Sequence, residues 1–239
     1  SGGEELKAGE PLLGATMMGA TNDGVVNAVT LVKEAGHQVV VFHTTGVGGR
    51  ALEHLIREGR ITGVMDLCLH EIVSQEVMGG GFSQGAPDRL AAAVHMGIPL
   101  VVSPGGMDFV DYTLKEFQAN AVGDWTQRKY TLHNRETAHI KLFPKEAQKA
   151  AEIAVSRLNR HPRPAKAAVI LPLKGLRSET RPGERLHDPQ VDEAIFQVFR
   201  SHLRKDISLI ELNAHFFDKA FSREAARVMQ SLLPPAPGR

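Results

Sequence analysis

The chain has 239 residues, 42% of them hydrophobic and 23% charged, enough to bury a sizeable core in one large domain or two small ones. Its 28 basic and 27 acidic residues leave a formal charge of +1, which gives no broad basic field for a phosphate backbone, so no nucleic-acid partner is expected. No apolar run approaches the ~18 residues that cross a bilayer. The start Ser1-Gly2-Gly3-Glu4-Glu5 lacks the basic-then-apolar order of a secretion signal. The expectation is a cytoplasmic protein with no membrane partner. The single cysteine, Cys68, lies in an apolar run, cannot form an internal disulfide and is expected to pack as a small hydrophobe in a reducing compartment.

Residues 1–11 are expected to form a flexible amino-terminal segment, residues 12–232 a single α/β domain and residues 233–239 a flexible tail, because Pro234, Pro235 and Pro237 cannot continue a helix. A first strand is predicted over 12–17, followed by Thr21-Asn22-Asp23 as capping residues for a helix with Val25, Val26, Val29, Leu31 and Val32 on its apolar positions. The next strand, 38–43, is β-branched and apolar at successive positions, as suits a strand covered on both faces. A glycine-rich loop, a helix over 50–57, a strand over 63–67, a helix over 70–77, a second glycine-rich loop, a helix over 88–96 and a strand over 98–103 follow. Such repeated strand-to-helix steps are the signature of a Rossmann-like, doubly wound, mainly parallel α/β sheet flanked by helices. From 104 to 141 the pattern breaks around Gly105, Gly106, Gly123, Trp125, Tyr130, His133 and Arg135. This is expected to be a long irregular segment, of the kind that tends to carry function. Helices over 144–158, 188–203 and 222–232 and strands over 167–171 and 207–212 complete the chain.

In an open parallel sheet, ligands bind outside the carboxyl ends of the strands, where backbone donors and helix amino termini converge. The strongest candidate there is His43-Thr44-Thr45-Gly46-Val47-Gly48-Gly49-Arg50. Thr44 and Thr45 offer hydroxyls, Gly46, Gly48 and Gly49 permit a tight amide-lined turn, and Arg50 adds charge, as in a phosphate-binding loop. It lacks the Gly-Lys-Ser/Thr ending of a Walker loop and the frame of a dinucleotide fingerprint, so a plain strand-to-helix turn is the alternative. A second loop, 79–89, offers Ser83, Gly85, Asp88 and Arg89, with helix capping as the alternative role. Ser103 and Gly105 stand at a third strand end, without the nucleophile elbow of a serine hydrolase. Among 11 histidines, His133 and His139 are six apart with no cysteine partner, so no metal site is expected. His43, His133 and Lys174 are the candidates for proton transfer or anion steering.

Together the segments Val41-Phe42-His43-Thr44-Thr45-Gly46-Val47-Gly48-Gly49-Arg50-Ala51-Leu52-Glu53, Gly85-Ala86-Pro87-Asp88-Arg89-Leu90, Ile98-Pro99-Leu100-Val101-Val102-Ser103-Pro104-Gly105, Leu171-Pro172-Leu173-Lys174-Gly175 and His187-Asp188-Pro189 resemble an uncharacterised two-domain family. That family includes the tomato mosaic virus resistance protein and often carries an ATP-binding label. The resemblance is to its carboxyl-terminal domain. It implies an amino-terminal α/β domain as partner in the full-length protein, a homo-oligomer, and ATP or another nucleotide as a possible cofactor.

Three functions stay open on the residues alone. The first is binding of a small anionic ligand, phosphorylated, nucleotide or carboxylate, through Thr44, Thr45, Gly46, Gly48, Gly49 and Arg50, with Ser83, Gly85, Asp88, Arg89, Ser103 and Gly105 shaping the rest. The second is an enzyme acting on a phosphorylated or carboxylated metabolite, with His43 or His133 carrying a proton and Arg50 or Lys174 stabilising negative charge. The third is a protein-interaction domain.

Overall fold

Strands that are apolar at every position need helices on both faces, and the computed structural model, which describes residues 11–234, supplies them. Of the stretches expected to be flexible, 1–11 and 233–239, residues 1–10 and 235–239 lie outside the described residues. Six parallel strands form one sheet in the order β2 (Gln38–His43), β1 (Leu12–Met17), β3 (Gly63–Cys68), β4 (Leu100–Gly105), β8 (Ala167–Pro172), β9 (Ser208–Leu212). Helices α1 (Asn22–Glu34) and α8 (Lys219–Leu232) cover one face through Val25, Val29, Phe221 and Met229. On the other face lie α2 (Val47–Arg57), α4 (Ala91–Met96), α6 (Pro144–Leu158) and α7 (Pro189–His202), packed through Leu52, Ile56, Ala150 and Phe199. The strand order reverses beside β1, so the chain turns away on both sides between the ends of β1 and β3. That opening is the usual ligand crevice of such sheets.

The stretch expected to be irregular is instead built. It holds a three-stranded antiparallel sheet, ordered β5 (Phe109–Thr113), β7 (Thr137–Lys141), β6 (Tyr130–Leu132), and a short helix, α5 (Leu114–Gln118). Asp111 faces His139 and Phe109 faces Lys141 in the β5–β7 register. Alternation then sends Val110, Tyr112, Ala138 and Ile140 into the hydrophobic core and the polar set to the other face. Because β5 starts four residues after β4 ends, that polar face is carried to the carboxyl edge of the large sheet.

Other boundaries move less. The segment after β3 is a single α-turn, α3 (His70–Ile72), that widens into a π-turn at Val73–Val77, where the Met78 amide donates to the Val73 carbonyl at 2.9 Å. The fourth helix starts only at Ala91, because Leu90 takes a left-handed conformation with φ 72°. Among the described residues no helix is long and apolar enough to cross a membrane.

Gly105, expected at a ligand loop, serves close packing. A Cβ there would run into the Leu67 carbonyl and stand 2.8 Å from Phe216 Cε2. Backbone cannot yield as a flexible side chain can, so Gly105→Ala is predicted to cost about 1–3 kcal/mol in urea denaturation. A cost under about 0.5 kcal/mol, the scale of an ordinary surface change, would contradict that packing role.

Candidate functional site

Two polar centres meet at the carboxyl edge of the parallel sheet, and consecutive residues of α3 feed them. Glu71 builds the first. Its Oε1 accepts from the Gly46 amide at 2.5 Å and the Gly49 amide at 3.2 Å, so the amino end of α2 already binds an anion, the protein's own carboxylate. Gly46, at φ 87°, and Gly49 leave no room for a Cβ, against the Gln84 carbonyl and the Glu71 carboxylate respectively; Gly48 packs equally closely on the His43 carbonyl. Arg89 is fully buried and ion-paired with Glu71 and Asp66, with Glu53 Oε1 at 3.9 Å. It was expected to meet a ligand; instead it is the countercharge of this internal network. Thr16 Oγ1 donates to Asp66 at 2.8 Å and so ties β1 to the same centre.

The other residues singled out in the sequence spread around this core. Thr44 is buried and donates to the Met17 carbonyl and Cys68 Sγ, whereas Thr45 pairs with the exposed His43 ring at 3.3 Å. Arg50 and Lys174 are exposed. Asp88 forms a surface ion pair with Arg57, and the Gly85 amide donates to Gln75 Oε1 at 2.7 Å. Ser83 and Ser103 are buried with hydroxyls that lack a hydrogen-bond partner among the described residues. The structure therefore does not gather these residues into one ligand cradle.

His70 and the small sheet build the second centre. His70 is fully buried, with Nδ1 2.9 Å from the Gly106 carbonyl and Nε2 3.1 Å from Asp111 Oδ1. Its ring stacks on Phe109 at 4.3 Å, and the Arg177 guanidinium lies 3.9 Å from the centre of the same phenyl ring. Arg177 Nε is 3.1 Å from both Asp108 oxygens, Lys141 Nζ reaches Asp108 at 2.8 Å and Asp192 at 3.2 Å, and Arg177 Nη1 holds Glu179 at 2.6 Å. Glu179 in turn meets His139 Nδ1 at 3.1 Å. His133 stacks on His139 at 4.7 Å and stands exposed at the opening. Glu179 has φ 66°, a costly conformation for a residue with a Cβ and one that the Arg177 and His139 contacts hold in place.

Burial alone would raise the Asp108 carboxyl, but Arg177 and Lys141 outweigh it and hold it down at about 2. Burial pushes Asp192 up to about 6 despite Lys141, and the Asp108 charge adds to the rise. Against burial, His70 keeps Asp111 low, and hydrogen bonding from His139 with the charge of Arg177 does the same for Glu179. The second centre thus keeps ionised carboxylates on both histidines.

Of this second centre, only His133 stood among the candidate site residues, and His139 was weighed solely as a metal ligand beside it. The overlooked signal was alternation: Phe109-Val110-Asp111-Tyr112-Thr113 and Thr137-Ala138-His139-Ile140-Lys141 each place polar side chains on every second position between apolar ones. His70 could have been found from its place just past the β3 end.

Glu53 yields a test of the first centre. Burial raises its carboxyl from 4.5 to about 7, with Arg89 opposing the rise, and its Oε1 has no hydrogen-bond partner among the described residues. Between those values the folded chain holds a proton that the unfolded chain has released. The contribution is therefore full below about pH 4.5 and lost as pH rises through about 7. Relative to Glu53→Gln, the unsubstituted protein is predicted to lose up to about 3 kcal/mol between pH 4.5 and about pH 8, measured by urea denaturation. A difference that does not change with pH would contradict this.

Comparison with known proteins gives the chain its place. The family model described as the C-terminal domain of the uncharacterised protein family UPF0261 matches residues 10–233. A UPF0261 protein of Clostridium tetani is 35% identical over 230 residues, covering 96% of this chain and 55% of that protein. A UPF0261 protein of Brucella suis is 30% identical over 226 residues, covering 94% and 52%. The ToMV resistance protein Tm-1(GCR237) of Solanum lycopersicum is 35% identical over 189 residues, covering 78% of this chain and 24% of that protein. The chain spans about half the length of the bacterial relatives it matches. On the match across residues 10–233, this chain belongs to the UPF0261 family, as its C-terminal domain.

Proposed function

We propose that this domain binds a small anionic molecule beside His139 and moves a proton to or from it, which makes it part of an enzyme rather than a passive binding module. The observation that carries the reading is the His139–Glu179 pair: Nδ1 is held by a carboxylate, while Nε2 has no hydrogen-bond partner among the described residues. A carboxylate on one imidazole nitrogen orients the ring and supports proton transfer at the other. The paired, strained Glu179 and the clustered charges around Phe109 are the kind of arrangement found where side chains are held for chemistry.

Charge favours an anionic ligand. Lys174 opens the loop that carries Glu179, Arg135 lies in the turn that carries His133, and Arg185 sits 5.7 Å from the Tyr130 ring. All three are exposed and none has an acidic partner among the described residues, so they are free to steer an anion. At the glycine loop, by contrast, an external phosphate or carboxylate would have to displace Glu71 from the Gly46 and Gly49 amides. ATP therefore enters the reading as one probe among several. The additional half of the bacterial relatives is the proposed neighbour of this domain in the full-length protein.

A thermal-shift panel of ATP, other nucleotides, phosphorylated sugars and small carboxylates tests the reading, since a ligand that prefers the folded state raises the melting temperature. The expected result is a shift with at least one small acid that is lost in His139→Gln and retained in Arg50→Ala. A shift lost in Arg50→Ala and retained in His139→Gln would place the ligand at the glycine loop and reject the proposal.

A further inference from the structure

Two imidazoles flank one phenyl ring in the second centre, and their surroundings differ. His139 has one nitrogen on Glu179 and the other without a hydrogen-bond partner among the described residues, whereas both nitrogens of His70 face oxygen. The Gly106 carbonyl can only accept a hydrogen bond, and so can an ionised Asp111 carboxylate. Ser74 Oγ, 3.4 Å from Nε2, is the third neighbour and can orient its own hydrogen elsewhere. The arrangement is satisfied by a His70 ring that carries two protons and one positive charge, sealed at 0% exposure.

Asp111 connects the two rings. Its carboxylate bonds to His70, and its backbone position is paired directly with His139 across β5 and β7, on the same face of the small sheet. The charged and titratable groups around His139 come from every element packed there: Glu179 and Arg177 from the loop after β8, Asp111 from β5, Lys141 on β7 itself and His133 beside β6. Around His70 they are Asp111, the Cys68 thiol at the end of β3 and Arg177 across Phe109. A carboxylate left bare at the Asp111 position would add a second negative charge to the one that Glu179 already places on His139.

We propose that His70 is a positioning residue for the proton carrier: a fixed, buried cation that neutralises Asp111 and thereby sets how readily His139 takes up and gives back a proton. The inference rests on His139 as the proton carrier, yet the coupling itself is a property of the side chains and is measurable with no ligand present. Its failure would leave the ligand-shift test of the proposed function standing, and the reverse also holds.

The experiment is long-range proton–nitrogen NMR of the histidine side chains in the 15N-labelled protein. In the unsubstituted chain both His70 nitrogens are expected to show protonated shifts, as the two acceptors facing them require. In His70→Gln the uncompensated Asp111 charge is expected to raise the His139 midpoint by about one pH unit; Asp111→Asn lowers it, and the double variant H70Q/D111N brings it back from the H70Q value. A purely structural role for His70 would leave the His139 midpoint unmoved in a folded His70→Gln variant. A His70 ring with one bare nitrogen in the unsubstituted protein would overturn the proposal, whether or not any variant folds. So would a His139 midpoint unmoved in both single variants.

Discussion

The adjacency of His70 and Glu71 is the constraint on which the carboxyl edge depends. One short helical turn after β3 must send Glu71 toward the α2 amides and Arg89 and, one residue earlier, send His70 toward Asp111 and the Gly106 carbonyl. Both side chains are fully buried, so neither centre can be displaced without leaving charge unpaired in the interior, which costs several kcal/mol by the usual order of magnitude. The π-turn that follows belongs to this constraint. Its wider spacing precedes the glycine loop, whose Phe82 amide donates to the Asp111 carbonyl at 3.2 Å and whose Gly85 amide donates to Gln75. The same few residues therefore seat the glycine loop and both polar centres.

The two centres differ in how their polar groups are paired: the first closes on itself, whereas in the second His139 Nε2 has no hydrogen-bond partner among the described residues. Around Arg89, carboxylates from β3, α2 and α3 converge on one guanidinium, and two backbone amides complete the coordination of Glu71. It fastens β1, β3 and α2 at the carboxyl edge of the parallel sheet. Around Phe109 the chain of contacts runs from buried Asp192 through Lys141, Asp108, Arg177 and Glu179 to the buried His139, whose ring stacks on the exposed His133. Phe109 keeps the His70 ring and the Arg177 guanidinium against its ring while contacting His139 at 4.9 Å, which spaces the three side chains without another polar atom.

The parallel sheet was legible in the sequence because β-branched runs such as Val39-Val40-Val41 and helix-closing glycines such as Gly36 act locally. The small sheet was harder to see. Its strands are short, β6 has only three residues, and the eye is drawn to the glycines and aromatic residues between them instead of the two-residue period. At the glycine loop the local chemistry was legible but its partner was not: the loop has the form of an anion site, and no local rule indicates that Glu71, 22 residues beyond Gly49, fills it. Arg89 illustrates the same limit. An arginine after Asp88 at the end of a loop suggests an exposed charge, and only the converging positions of Asp66, Glu53 and Glu71 in three dimensions turn it inward.

The most direct measurement of the central claim is a crystal structure of the protein soaked with the small acid that stabilises it best. The account predicts ligand density within hydrogen-bond distance of His139 Nε2, with Glu179 still on Nδ1 and Glu71 still on the Gly46 and Gly49 amides. Density seated instead on those amides, with Glu71 swung away and His139 untouched, would contradict it.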